Sequence, residues 1–255
     1  PVFEAMDELQ RQAFVQAMAG ASRGEGAEDG KGSGENFLAQ VMQQAQAEGL
    51  AYLELRGSPH KYRPADPLGF LNELRSALQE AGAQTHCAPT IRSSNLSVSS
   101  SAGKPDGPRI GFIWILDRRQ RDALPDVVAQ AVAAHLLLEG FLLGLDLAGD
   151  EGTHNPAHLA PGFQSAFADC LPITIHAGEG EAAENIWQAA YHLHADRIGH
   201  GLSLAQHPQL AARFRDRGIC LELCPSSNRE VVGFADPAFA ASQGLPAYPL
   251  RRFIE

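Results

Sequence analysis

The sequence predicts an α/β fold of the (β/α)8-barrel type, and three observations support this. Short apolar or β-branched runs alternate with segments of helical periodicity about six times along the 255 residues, which is typical of parallel βαβ units. Most of the runs end in polar or glycine-rich segments, where a parallel barrel places its chemistry. No G-x-G-x-x-G follows the first strand, which disfavours the dinucleotide-binding form of the alternative, an open doubly wound sheet.

Composition narrows the class of protein. Hydrophobic residues make up 44% and charged residues 20% of the chain, as in soluble globular proteins. The net charge of -10 disfavours a nucleic-acid partner, because phosphate binding needs clustered Lys and Arg. The sequence contains neither an apolar run of membrane-spanning length nor a signal peptide at its start. Four cysteines are sparse for this length and indicate a reduced, cytoplasmic protein, with Cys220 and Cys224 expected in the core.

The first part of the chain contains two predicted helices and one strand. Apolar positions at helical spacing predict a helix over residues 1–19, followed by a flexible Gly/Ser-rich and charged loop over 20–36. A second helix is predicted from Asn36 to Glu48. A strand over 51–56 then ends at a Gly-Ser-Pro turn over 57–59.

The following unit repeats this order. A helix is predicted over about 66–81, followed by a short apolar stretch from Thr85 to Ile91. A second polar, flexible loop is predicted over 92–108. The strand over 110–117 is apolar on both faces, as expected for a sheet covered by helices. The helix that follows is predicted over 126–138.

The last part of the chain alternates in the same way. Three strands are predicted, over 141–147, 173–175 and 219–224, and a further short strand lies within 196–201. The helices between and after them are predicted over 182–193, 207–217 and 249–255.

The stretch with the most chemical content is the strand Ile173–Ile175 and the residues directly after it. His176 lies where the strand ends, Gly178 permits a sharp turn, and Glu179 follows three residues after the histidine. A neutral imidazole is a good zinc ligand, and a nearby carboxylate can move protons for a metal-bound water. The alternative is one His and one Glu on an ordinary surface loop.

Three other strand ends carry polar residues, and a closed barrel would bring all four to one mouth. They are Gly149-Asp150-Glu151, His200 between two glycines, and Glu222 followed by Pro225-Ser226-Ser227-Asn228. Two histidines and a carboxylate at one mouth suit metal-assisted hydrolysis.

Each of these segments also has a structural interpretation. His200 can cap a tight turn, and Asp150 with Glu151 can bias a turn toward solvent. Ser226 and Ser227 are expected in a loop, since no G-x-S-x-G surrounds them. The other histidines are weaker candidates, with His60 a minor one because it follows a strand end.

Four of these motifs together resemble the adenosine deaminase family, within the metal-dependent amidohydrolases. They are Leu145-Asp146-Leu147-Ala148-Gly149-Asp150-Glu151, Ile175-His176-Ala177-Gly178-Glu179, Arg197-Ile198-Gly199-His200-Gly201 and Leu223-Cys224-Pro225-Ser226-Ser227-Asn228. The segment Tyr52-Leu53-Glu54-Leu55-Arg56 with Ser58-Pro59 is similar to the family's second strand. The resemblance runs from about residue 36 to the end, and four motifs in order are far more specific than one.

The resemblance implies a zinc hydrolase, with one Zn²⁺ per active site, in which hydroxide attacks C6 of an adenine ring and ammonia leaves. His176 matches a zinc ligand and Glu179 the proton shuttle that protonates N1 of the ring. His200 matches the histidine that orients the attacking water. Gly149 matches a glycine whose backbone N–H contacts the purine. We expect Asp146 to be a substrate-binding residue as well. The expected partner is a purine small molecule, adenosine first, with adenine or an adenosine nucleotide as alternatives.

Two features of the family pattern are missing. The family's first strand carries a His-x-His pair of zinc ligands, whereas the one such pair here, His192-Leu193-His194, lies in the helix after the zinc-ligand strand. The family's last strand carries an Asp-Asp pair, after a helix like 249–255. We therefore expect residues 1–255 to form one partial deaminase barrel lacking its first and last strands, as a piece of a longer protein rather than a degenerate relative.

Some alternatives stay open from the sequence. A different amidohydrolase activity is the enzymatic alternative, and a binding or regulatory domain without a complete metal site is the non-enzymatic one. The polar loops over 20–36 and 92–108 could dock a further domain or a second copy of the chain. No membrane partner is expected.

Overall fold

The structure is a computed structural model that describes residues 30–85, 107–138, 140–233 and 247–254. The helix predicted over 1–19 lies outside the described residues. So do residues 20–29 of the first predicted loop and nearly all of the second.

The described residues form six parallel strands alternating with helices, the arrangement of a partial (β/α)8 barrel. The strands are β1 (Tyr52–Gly57), β2 (Arg109–Asp117), β3 (Leu142–Ala148), β4 (Ile173–Ala177), β5 (Arg197–His200) and β6 (Cys220–Glu222), hydrogen-bonded in chain order. The α-helices are α1 (Gly30–Ala47), α2 (Pro59–Tyr62), α3 (Pro67–Glu80), α4 (Leu124–Leu137), α5 (Pro156–Leu159), α6 (Gln164–Ala168), α7 (Ala183–His192), α8 (Pro208–Arg217), α9 (Pro225–Val232) and α10 (Leu250–Ile254). Short 3₁₀ turns cover Arg118–Ala123, Ala160–Phe163 and Leu202–Gln206.

The described residues divide into two compact units, and the first comprises those within 1–114 and 133–143. In it β1 pairs with β2 in parallel, from Tyr52 opposite Arg109 to Gly57 opposite Trp114. Helix α3 begins where the Asp66 side chain accepts a hydrogen bond from the Gly69 N–H at 2.8 Å, with a proline in its first turn. Its buried residues are Phe70, Leu71, Leu74 and Leu78, at the spacing of one helix face.

The second unit comprises the described residues within 115–132 and 144–255. Here β3 to β6 pair in sequence, all in parallel. The β-branched Ile173, Ile175 and Ile198, in β4 and β5, are at most 3% exposed and belong to the hydrophobic core. Since the strands are parallel and adjacent, their carboxyl ends lie side by side. The candidate active site lies at that edge of the sheet.

The structure changes three sequence expectations. Helix α1 begins at Gly30, within the predicted loop, because extending a helix anchored by the buried Val41 and Met42 costs less than starting one. Helix α9 occupies the predicted loop after β6, with Pro225 in its favoured first-turn position. Cys220 is exposed and Cys224 half-buried rather than in the core, because β6 is the terminal strand of the sheet that the described residues form.

Among the helices of the described ranges, not one has the length and apolar character needed to cross a membrane.

Candidate active site

Two histidines meet where β4 and β5 end. The strand register places His176 opposite Gly199 and Ala177 opposite His200. The two imidazole rings meet edge to face, with centroids 4.9 Å apart and planes at 81°. Gly199 makes room for this contact, because a Cβ at that position would lie 2.8 Å from Cδ2 of His176. The close approach of the two rings therefore depends on a glycine in β5.

His176 is paired with a buried carboxylate. Its Nε2 lies 3.2 Å from Oδ2 of Asp146, whose side chain is 1% exposed, against 31% for the His176 side chain. Asp146 belongs to β3, the strand next to β4. A carboxylate hydrogen-bonded to one imidazole nitrogen fixes the tautomer and orientation of the ring, as is usual behind a metal-bound histidine. The sequence-predicted substrate role of Asp146 stays a prediction.

His200 is buried and its backbone is in an unusual conformation. The residue is 5% exposed and has a φ of +65°. A residue with a Cβ adopts this left-handed conformation at a cost, and such residues cluster at functional sites. The pKa of His200 is lowered, first by burial and then by the neighbouring His176, while the Glu179 and Glu151 carboxylates act in the opposite direction. Burial and the neighbouring imidazole therefore favour the neutral form of His200.

Glu179 lies against His200 through a shared amide. Its Oε1 is 3.4 Å from Nδ1 of His200, and its side chain is 20% exposed. The Nδ2 of Asn228, in α9, lies 2.8 Å from the same Oε1 and 2.8 Å from the same Nδ1. The carboxylate and the imidazole predicted as catalytic are thus brought together. The sequence motif contained Asn228, but nothing in it indicated this bridging contact.

The loop that carries Glu179 is held by Glu151. The carboxylate of Glu151 accepts hydrogen bonds from the backbone N–H of Gly178 at 2.8 Å and of Glu179 at 3.0 Å. The Asn185 side-chain amide donates to it at 3.4 Å. Charge-assisted bonds from two successive N–H groups fix the local backbone. The sequence allowed two roles for Glu151, a solvent-facing turn residue or a residue of the site. In the structure it anchors this loop.

Arg118 is a further buried group that sequence reasoning missed. It follows β2 directly, is 0% exposed, and donates from Nη2 to the backbone carbonyl of His176. Burial lowers its pKa, whereas the carboxylates of Glu151, Asp146, Asp150 and Asp117 act to raise it. A buried cation among several carboxylates offsets their mutual repulsion. In sequence, Arg118 stands in a run of exposed charged residues that gives no signal of this burial.

Other candidates lie outside this cluster. Glu222 pairs with Arg197, at 3.1 Å between Oε1 and Nε. The Asp150 side chain accepts a hydrogen bond from the Gly152 N–H at 3.0 Å, which stabilises the turn after β3. Gly149 has a φ of +97°, and a Cβ there would lie 2.9 Å from Oδ1 of Asp117. Its predicted contact with the purine stays a prediction.

His60 belongs to the first unit. Its Nδ1 lies 2.8 Å from the indole Nε1 of Trp114, which donates to it. The ring of His60 thus contacts a buried tryptophan, a contact that explains its position without a ligand.

The described residues do not form a complete metal site. Within the described ranges, no group of three or more His, Cys, Asp and Glu side chains is arranged to hold a metal ion. A catalytic zinc needs about three protein ligands, so His176 with its orienting Asp146 is not a complete site.

Comparison with known proteins identifies the family. The sequence profile of the adenosine deaminase family matches residues 36–255. An adenosine deaminase of Pseudoalteromonas translucida is 31% identical over 217 residues, which are 84% of this chain and 56% of that protein. An adenine deaminase of Chelativorans is 41% identical over 110 residues, 43% of this chain and 32% of that protein. The chain spans about half the length of the relatives that align over 84% of it, 56% for the Pseudoalteromonas protein.

Solved structures show the same fold. Adenine deaminase from Arthrobacter aurescens matches with a TM-score of 0.65 at 21% identity, covering 86% of this chain and 58% of that one. A Burkholderia ambifaria amidohydrolase solved with bound Zn matches with a TM-score of 0.60 at 19% identity, covering 86% and 54%. An Arabidopsis N6-methyl-AMP deaminase matches with a TM-score of 0.61 at 18% identity, covering 85% of this chain and 61% of that one. With its profile match over residues 36–255 and its strand-end residues in the order of the family's motifs, this chain belongs to the adenosine deaminase family.

Proposed function

We propose that the protein deaminates an adenine-containing small molecule by hydrolysis, releasing ammonia and the 6-oxo purine. The observation that carries the proposal is the cluster of Glu179, His200 and His176 at the ends of β4 and β5, with Glu179 3.4 Å from His200 and the two imidazoles 4.9 Å apart. Replacing an amino group by oxygen needs a proton donor to the ring and a group that directs water, and a carboxylate beside a neutral imidazole provides both.

In this proposal each residue has one task. Glu179 carries a proton to N1 of the purine ring and so makes C6 more electrophilic. Neutral His200 directs the attacking oxygen. Gly149, whose φ of +97° turns the backbone at the end of β3, presents its N–H to the purine. Asp146 keeps His176 oriented, so it acts through the histidine and not by contact with the substrate.

We propose zinc as the cofactor, with His176 as one ligand. A bound zinc would lower the pKa of water so that hydroxide forms near neutral pH. The described residues do not complete its ligand shell. Zinc dependence is supported by the His176–Asp146 pair and by the bound Zn of the Burkholderia ambifaria protein of the same fold.

Adenosine is the proposed substrate, because relatives that align over 84% of the chain are described as adenosine deaminases. Adenine is the second candidate, since an adenine deaminase is 41% identical over a shorter stretch. The chain has four cysteines, which is sparse for its length and supports a reduced, cytoplasmic location.

A substrate panel tests the proposal. Zinc-supplemented full-length protein is assayed for ammonia release from adenosine, adenine and adenosine 5′-monophosphate, each with and without a chelator. We expect chelator-sensitive release that is fastest from adenosine. Fastest release from adenine would move the substrate assignment to the nucleobase. Release from none of the three, by protein that carries a full complement of zinc, would contradict the proposed function.

A further inference from the structure

Asn228 lies at the centre of the hydrogen bonds between the candidate catalytic residues. Its side chain is 0% exposed, in the first turn of α9. Nδ2 lies 2.8 Å from Oε1 of Glu179 and 2.8 Å from Nδ1 of His200. Its Oδ1 accepts a hydrogen bond from the Tyr248 hydroxyl at 3.2 Å. All three polar contacts of this amide are therefore directed at named partners.

These contacts settle which way the amide faces. An ionised carboxylate only accepts hydrogen bonds, so the group that faces Glu179 has to be the NH₂. The opposite orientation would set Oδ1 against Oε1 of Glu179, two acceptors at 2.8 Å, and would leave the NH₂ toward Tyr248. The observed orientation satisfies Glu179 and Tyr248 together, and burial makes the alternative costly.

The amide orientation in turn determines the tautomer of His200. One N–H of the Asn228 NH₂ is directed to Glu179, and the second is directed to Nδ1 of His200. A ring nitrogen that accepts a hydrogen bond carries no proton, so a neutral His200 has its proton on Nε2. The Nε2–H lies across the ring from Asn228 and is a hydrogen-bond donor.

We propose that Asn228 is a positioning residue for the deamination reaction, an inference that rests on the proposed function. It holds His200 as the Nε2–H tautomer, so that His200 donates a hydrogen bond to the attacking oxygen. It also binds Oε1 of Glu179, which leaves proton exchange with the purine to Oε2. One buried amide thus aligns both groups: His200, which acts on the attacking water, and Glu179, which acts on the purine ring.

The first test reads the tautomer directly and needs no variant of Asn228. Long-range proton–nitrogen NMR spectra of zinc-loaded full-length protein, labelled at the histidine ring nitrogens, distinguish the two neutral tautomers. The chain has 10 histidines, and His200→Gln identifies the signals of His200 by their loss. The proposal expects the Nε2–H tautomer. An Nδ1–H tautomer, or a mixture of the two, would overturn it.

The second test uses Asn228→Asp, which keeps the size of the side chain but replaces the donor with an acceptor. His200 would then carry its proton on Nδ1, and Glu179 would face a second carboxylate. We expect the NMR signals of His200 to change to the Nδ1–H pattern and kcat for deamination to fall by about 100-fold. KM should stay within about threefold, because the proposal places Asn228 against Glu179 and His200 rather than against the substrate.

Ser226→Ala is the matched control. Ser226 is exposed and lies in the same helix, so its kinetics and NMR spectra should equal those of the wild type. Asn228→Asp with kcat within about twofold of the wild type would overturn the positioning role. If the wild-type protein releases no ammonia from any purine, the proposed function fails. The NMR result still decides separately whether Asn228 sets the tautomer of His200.

Discussion

The carboxylate of Glu151 holds the backbone of Glu179, 28 residues further along the chain. Its Oε1 accepts the Glu179 N–H at 3.0 Å, and its Oε2 accepts the preceding N–H, of Gly178, at 2.8 Å. Gly178 has a φ of +74°, and a Cβ on it would lie 2.4 Å from Cδ1 of Ile186. The loop that presents the proposed proton shuttle is thus fixed by a glycine from within and by a carboxylate from the β3 end.

Glu151→Gln tests this anchor. The amide retains one acceptor and sets an NH₂ against a backbone N–H, so one charge-assisted bond is lost at a cost of about 1.5–3 kcal/mol. We expect faster hydrogen exchange at Gly178 and Glu179, and deamination slower by roughly 10- to 100-fold through misplacement of Glu179. Glu181→Gln, an exposed change in the same loop, should alter neither. Wild-type exchange rates in Glu151→Gln would show that the loop is held by other contacts.

The glycine between the two histidine rings gives a second prediction. In Gly199→Ala the new Cβ would lie 2.8 Å from Cδ2 of His176, so the ring has to move or the strands have to separate. We expect a loss of about 1–3 kcal/mol in the free energy of unfolding, as for overpacked interiors, together with weaker zinc binding. Denaturant unfolding and metal analysis measure these two quantities.

Gly180→Ala is the control for that substitution, because a Cβ on Gly180 would meet nothing within 4 Å. Its stability and zinc content should match those of the wild type. A stable Gly199→Ala protein with full zinc content would contradict the requirement for glycine at the contact between the rings.

Asp146→Asn separates two roles for this carboxylate. If Asp146 orients His176, the amide weakens zinc binding by about 10- to 100-fold, since loss of an orienting carboxylate has that effect at other metal sites. If Asp146 contacts the substrate, as the sequence resemblance implies, KM rises while zinc affinity stays at the wild-type value. Zinc titration and steady-state kinetics on the same preparation distinguish the outcomes, and we expect the first.

The fold was predictable because its signals are local. Short β-branched strands such as Ile173–Ile175 alternate with amphipathic segments, and this pattern indicates parallel βαβ units directly. The observed ends of β4, α7 and β5 lie within two residues of the predicted ones. The start of α1 at Gly30 was not predictable. The intrinsic preference of a Gly-Ser-rich segment disfavours a helix, and the packing that anchors α1 begins further along the chain.

The candidate site was predictable in part, for the same reason. His176, Glu179 and His200 stand at strand ends, where sequence position implies proximity in a parallel sheet. Arg118, Glu151 and Asn228 act through contacts that cross 27 to 58 residues of chain. No spacing rule reports such contacts. Their roles depend on how deeply each side chain is buried and which atom it faces.

The role of Glu179 is tested by ammonia release from adenosine by zinc-loaded full-length protein, comparing the wild type with Glu179→Gln and measuring zinc per chain in each. Glu181→Gln serves as the control. We expect Glu179→Gln to lower kcat by at least about 100-fold, the scale of general acid–base catalysis, while zinc content stays at the wild-type value. Deamination by Glu179→Gln at the wild-type rate, with the same zinc content, would contradict the role of Glu179 and with it the proposed mechanism.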